Sequence, residues 1–196
     1  MSVETVSVKA EICRLFSIMF YNPEDTFLSE PDVVKDLADF LKELNISSEG
    51  LVESFENVDK EELMQDYAAL FVGPYQLQSP PYGSVYLDKG RRLNDESTKS
   101  VADIYRQFGL DVDENMKEPA DHIAIELEFL YTAYLIIESR RVNGEDAAEL
   151  EQSLDAFINK FFKPFVSLMS DLMVKNASTD FYKNIGKQLS MTIEQL

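Results

Sequence analysis

No tryptophan, one cysteine, one histidine and half as many basic as acidic side chains mark this chain of 196 residues. Each scarcity excludes something. A single cysteine allows no intramolecular disulfide, which points to a reducing compartment. Cys13 lies within an apolar pattern and reads as a small core residue rather than a nucleophile. With one histidine, any Ser–His–Asp or Cys–His mechanism has only His122 to use. No C-x-x-C pair and no H-E-x-x-H occurs, so no transition-metal site of recognisable spacing is present. The glycine-rich phosphate cradles and the G-x-S-x-G elbow are missing too. Nothing in these patterns asks for catalysis, a cofactor or a metal. No run approaches about 18 consecutive apolar residues, so no membrane span is expected. The first residues lack a basic stretch followed by an apolar one, so no signal peptide is expected and the location read is cytoplasmic. Eighteen basic against 36 acidic groups give a formal charge of −18 and a pI near 4.3. Such a field repels nucleic acid and anionic lipid and favours cationic partners, with steering that weakens as salt rises. The same charge also serves plain solubility.

Against these absences stand 45% hydrophobic and 11% aromatic residues, enough for a sizeable core. The apolar residues recur at spacings of three and four, with no strict alternation over a strand's length. Residues 4–21 read as a helix on Val6, Ala10, Cys13, Phe16 and Phe20, ended by Asn22-Pro23. Helices follow from Ser29, near 48–57, and from an Asp59 cap with Leu63, Tyr67, Leu70 and Phe71 inward. Downstream, Gly109 stops a helix. The most apolar helix begins at Glu118-Pro119, and a long one carries Leu150, Leu154, Phe157, Phe161, Phe165, Leu168 and Leu172 in register, with a kink expected at Pro164. The fold class is all-α, a bundle of about seven or eight helices in two lobes. Residues 1–109 form the first, 110–117 (LDVDENMK) a linker, and 118–196 the second. A hinge of that kind can permit a domain-swapped homodimer.

The stretch from Tyr67 to Leu87 contains no charged residue, although 28% of the chain is charged, and it holds four tyrosines with Gly73, Pro74, Pro80, Pro81 and Gly83. Long connections of this kind are functional or disordered, and disorder wants charge rather than aromatics. Two readings remain open. Tyr67, Leu70 and Phe71 are core while Tyr82 and Tyr86 pin the loop, or Pro81, Tyr82 and Tyr86 form a groove for an apolar or helical peptide.

Glu118-Pro119-Ala120-Asp121-His122 is the one compact polar cluster. Structurally, Pro119 pre-sets a first turn, the two acids complement the helix dipole, Asp121 bonds free backbone amides, and His122 pairs with Glu126. Functionally, Asp121 and His122 sit at an exposed helix start and hydrogen-bond a guest backbone or basic side chain.

These strings, Tyr67-x-x-Leu70-Phe71-x-Gly73-Pro74, then Pro80-Pro81-Tyr82-Gly83-Ser84-Val85-Tyr86-Leu87-Asp88, then Glu118-Pro119-x-Asp121-His122, resemble the TorD/DmsD family, cytoplasmic chaperones for molybdoenzyme maturation. The loop is most similar to the DmsD branch. The resemblance implies a non-catalytic protein that binds the twin-arginine leader of a molybdoenzyme precursor until its cofactor is loaded. It carries the leader-binding role onto Tyr67, Leu70, Phe71, Pro81, Tyr82, Asp121 and His122. Where members often have tryptophan, at Tyr67 and Tyr82, this chain has tyrosine. Two other readings accompany it: docking on the catalytic subunit itself, as nitrate-reductase assembly factors do, and a guanine-nucleotide-responsive protein.

Overall fold

The structure is a computed structural model that describes residues 3–74, 76–90, 92–113 and 117–196, with side chains described from Val8 onward in the first helix. The expectations resting on the Val6 side chain, on Tyr75 and on residues 114–116 of the 110–117 segment lie outside the described residues. The described residues are helical, with no strand and a single isolated antiparallel bridge between Tyr82 and His122. The chain divides into two compact units, residues 1–14 with 82–165 and residues 15–81 with 166–196.

Unit one takes the start of α1 (Val3–Ile18), α5 (Gly83–Leu87), α6 (Glu96–Gln107), α7 (Ile123–Val142), α8 (Ala148–Phe157) and a π-helical turn over Ile158–Phe162. Helix α7 is buried at every residue from Ile123 to Leu130 except Glu128, because its bulky apolar residues fall on nearly every side, and the burial takes in the acid Glu126. Phe129 stands at the centre of its aromatic contacts, with ring centroids 4.3 Å from Tyr105, 5.1 Å from Phe108 and 5.0 Å from Phe157.

Unit two takes the rest of α1, α2 (Asp32–Glu43), α3 (Leu51–Asn57), α4 (Lys60–Tyr67), a second π turn over Ala68–Val72, most of α9 (Lys163–Asn176) and α10 (Asp180–Ile193). Asp59 caps α4 as predicted, its Oδ1 accepting from the Glu61 amide at 2.8 Å and the Glu62 amide at 3.2 Å. Phe27, Phe55 and Phe181 pack mutually at 5.4 to 5.8 Å.

Two expectations are corrected. Helix α7 begins at Ile123, not at Glu118, because residues 118–121 are drawn into contacts with the chain around Tyr82. In the long helix the register of the apolar row changes just before Pro164, the second residue of α9. The break is the π turn before it. One extra residue in that turn rotates the later apolar face, so Val166, Met169 and Met173 are buried and Leu168 is 50% exposed.

Candidate functional site

The site-bearing segments are built separately in the two units. In unit one, an extended Tyr82 pairs with His122, and the Gly83 amide donates to the Asp121 carbonyl at 2.9 Å. Tyr82 is extended there, with φ −126° and ψ 125°. Side chains then lock the pairing. The Tyr82 hydroxyl donates to Glu118 Oε2 at 2.8 Å, and its ring meets His122 edge to face at 5.3 Å. The Tyr105 hydroxyl donates to the Ala120 carbonyl at 2.9 Å.

Asp121 is fully buried, and its Oδ2 accepts from the Ser84 amide at 2.6 Å. The carboxylate thus satisfies a free amide in the first turn of α5 rather than of its own helix. His122 caps α7 with its Nδ1, which accepts from the Ala124 amide at 3.2 Å and leaves the ring proton on Nε2. Burial lowers its pKa to about 4, outweighing the opposing pull of Glu118 and Asp121. The ring is therefore neutral near pH 7. The exposed helix start expected from sequence is replaced by a buried one, with Asp121 at 0% and His122 at 5% exposure. The expected His122–Glu126 pairing is also absent, since neither Glu126 oxygen has a hydrogen-bond partner among the described residues. Tyr82 and Tyr86 are half-buried, Tyr86 packing on Phe165 at 5.4 Å.

A cleft of about 480 Å³ lies between α6 and residues that include Asp111, Val112, Asp113, Glu118 and Ala120. Asp103, Asp111, Asp113 and Glu118 line it, against Lys99 and Arg106. Glu118 therefore belongs both to this acidic cleft and to the Tyr82 hydrogen bond.

In unit two, Leu70 and Phe71 are core residues at 0% and 4% exposure. Phe71 packs on Phe20 at 5.6 Å and on Tyr182 at 5.5 Å. Tyr67 is half-buried, donates to the Phe20 carbonyl at 3.4 Å and packs on Phe71 at 5.7 Å. Pro81 is buried. The π turn frees carbonyls at the end of α4, and the loop returns to satisfy them: Gln78 and Ser79 amides donate to Ala69 and Leu70 at 3.1 and 3.0 Å. The Ser79 hydroxyl then donates to the Met169 carbonyl at 3.0 Å.

Sequence reasoning missed Glu118 as the Tyr82 partner, Tyr105 as the strut under Ala120, and Asp66. Asp66 is buried and accepts from the Ser178 and Thr179 amides and from the Thr179 hydroxyl at 2.6 to 3.0 Å. The only signal for Asp66 was an acid on the inward face of α4, next to Tyr67.

Comparison with known proteins places these features. The family model described as nitrate reductase delta subunit matches residues 30–170. The chain is 29% identical over 190 residues to the Tat proofreading chaperone DmsD of Salmonella typhimurium, covering 95% of this chain and 87% of that one. It is 39% identical over 88 residues to the chaperone protein TorD of Vibrio parahaemolyticus, a match that spans 45% of this chain and only 40% of that protein. With TorD of Vibrio cholerae it is 31% identical over 163 residues, 76% of this chain and 70% of the relative. The fold resembles that of a crystal structure described as a redox enzyme maturation protein of Archaeoglobus fulgidus, with a TM-score of 0.61, 20% identity, and 94% and 93% of the two chains covered. A family match across residues 30–170, joined by relatives aligned over most of both chains, means that this protein belongs to the nitrate reductase delta subunit family of TorD-like proteins.

Proposed function

We propose that this protein is a cytoplasmic, non-catalytic chaperone that binds the twin-arginine leader of a molybdoenzyme precursor and delays export until cofactor insertion and folding are complete. The observation that carries this reading is the near full-length relationship to a Tat proofreading chaperone. The chemistry of unit one supports it. A twin-arginine leader offers paired guanidiniums followed by an apolar stretch. The cleft lined by Asp103, Asp111 and Glu118 suits the guanidiniums, because planar forks pair with carboxylates. Tyr82, tied to Glu118 and half-exposed, is the aromatic contact beside it. Tyr86 and Pro81 flank Tyr82 in sequence. Asp121 and His122, being buried, serve by holding Tyr82 in place rather than by touching the guest. In unit two, Tyr67 keeps partial exposure and is the contact proposed there, with Leu70 and Phe71 fixing its ring.

Calorimetry with a synthetic twin-arginine leader tests the reading. Binding in the micromolar range, about −8 kcal/mol, is expected, because a proofreading partner has to release its client. Glu118→Gln and Tyr82→Ala each weaken binding by about tenfold, 1.4 kcal/mol, with unchanged circular dichroism. Heats matching the buffer blank for leaders of several molybdoenzymes would overturn the function, and unchanged affinity in both variants would overturn the site.

The family description, nitrate reductase delta subunit, favours one second reading, docking on the catalytic subunit itself. Co-purification with a leader-deleted molybdoenzyme subunit, at the yield given by the full precursor, would select it over leader binding.

A further inference from the structure

Glu126 takes no part in the leader contacts above, yet it occupies a position that is hard to explain as an ordinary acid. It is wholly inaccessible, and both of its carboxylate oxygens lack a hydrogen-bond partner among the described residues. An isolated ionised carboxylate in such a place costs several kcal/mol in lost hydration. Asp121 is equally buried. Its Oδ2 holds the Ser84 amide, and its Oδ1 has no partner among the described residues.

The two residues meet for a reason set by helix geometry. His122 is the cap of α7, so Asp121 is the residue before the cap and Glu126 the fourth residue of the helix. Side chains at these two positions turn toward each other, and they commonly carry a hydrophobic pair that closes the helix end. Here both are carboxyls. A methyl group placed on Gly83 would stand 3.5 Å from Asp121 Cβ and 3.5 Å from Glu126 Oε1, so both line one face of Gly83. Two carboxylates at such a spot do not both ionise, and one shared proton supplies the donor that each lacks.

We propose that Glu126 is a positioning residue: it stands as a neutral carboxylic acid and donates its proton to Asp121 Oδ1, fixing the carboxylate whose Oδ2 holds the Ser84 amide. A backbone amide already donates to Asp121, whereas Glu126 has no such donor among the described residues. Burial and the Asp121 charge both push the Glu126 carboxyl well above its ordinary range. The other titratable groups around it add no cation. Tyr105 from α6 is a buried phenol bonded to Ala120, its own ionisation raised by burial and by Glu126, Asp121 and Glu128. His122 is neutral, and Glu118 is engaged by Tyr82. The proton thereby ties the first turn of α5 to the start of α7, the frame that carries Tyr82.

Infrared difference spectroscopy of the wild type against Glu126→Gln, on full-length protein at pH 7, reads the proton directly. The expected result is a protonated-carboxyl C=O band present in the wild type and absent from the variant. Denaturant unfolding across pH supplies a second readout. An acid that keeps its proton only when folded stabilises fully below its unfolded pKa, near 4.5, and loses that contribution as pH rises toward the folded value. Relative to Glu126→Gln, the wild-type folding constant therefore falls by up to tenfold per pH unit above about 4.5. A missing band, or a wild-type-to-Gln difference that is flat with pH, would overturn the proposal. A third arm rests on the leader-binding reading. Glu126→Gln, which retains an N–H donor, binds leader within about threefold of the wild type, and Glu126→Ala binds at least about tenfold more weakly. Equal binding by the Ala variant overturns the positioning role. Failure of the wild type to bind any leader overturns only the function, and the spectroscopic arm still decides Glu126.

Discussion

At the scale of single residues, burial decides what the titratable groups can do. His122 is the chain's one histidine, so its ring resonances are unambiguous. Desolvation lowers its pKa to about 4 from an ordinary 6.5. Because the unfolded ring takes up a proton first, the contribution of neutral His122 is fully present above pH 6.5 and is lost as pH falls toward 4. An NMR titration of the folded protein is expected to show no protonation shift between pH 8 and about 5.5. A midpoint near 6.5 would contradict the buried cap. Cys13 behaves in the same way, with burial raising its thiol to about 12. It reacts with a thiol-specific disulfide reagent at pH 8 only as fast as the chain unfolds. Both identities were legible in the sequence, where Cys13 already sat in an apolar row and His122 at a helix start. The burial of the Asp121-His122 pair was not legible. It depends on Tyr82, Ser84 and Tyr105, whose contacts span 15 to 37 residues of chain. No periodicity within one helix encodes such separations.

At the scale of elements, local rules placed most helices and misplaced the phase of one. The Asp59 cap and the Gly109 end appear where side-chain chemistry put them, while α1 already ends at Ile18 and Asn22 caps a 3-10 turn over Pro23–Asp25. The phase error came from the π turn at Ile158–Phe162, because a 3.6-residue template cannot anticipate one inserted residue. The turn at Ala68–Val72 has the opposite merit, since its freed carbonyls are what recruit Gln78 and Ser79 and give the uncharged loop its order. Two element junctions in unit two are sensitive to substitution. Asp66 joins α4 to the start of α10 through three short hydrogen bonds. Asp66→Ala strands two amides and a hydroxyl and is expected to lower stability by about 3 kcal/mol in urea unfolding. Helix α10 approaches α9 at Gly186, where an added Cβ would lie 3.0 Å from Met173 Cβ and 3.2 Å from the Ser170 carbonyl. Gly186→Ala therefore overpacks the junction, and a loss of about 1–3 kcal/mol is expected in the same measurement despite alanine's better helix propensity. A gain in stability would show that the two helices are free to separate.

At the scale of the whole molecule, charge dominates. Acidic groups outnumber basic ones by two to one, so at least half of the carboxylates have no basic partner to pair with. The ion pairs Lys42–Asp39, Arg106–Asp103 and Lys183–Asp180 join residues three apart on one helix face, and such exposed pairs contribute little. Net repulsion among the surplus carboxylates therefore opposes the fold. The same surplus attracts a leader bearing two guanidiniums. Sodium chloride screens both effects and so acts on them with opposite signs. Raising the salt from about 0.02 M to about 0.5 M is expected to stabilise the free protein by about 1 kcal/mol, about 3 °C in Tm. Over the same range leader affinity is expected to fall by about tenfold. Thermal unfolding and calorimetry on one salt series separate the two terms, because a general salting effect would move both in one direction. A Tm that falls with salt would show that attractive surface pairs outweigh the net charge. An affinity that does not change would move the guanidiniums away from the Asp103–Glu118 cleft and leave the apolar half of the leader as the source of binding.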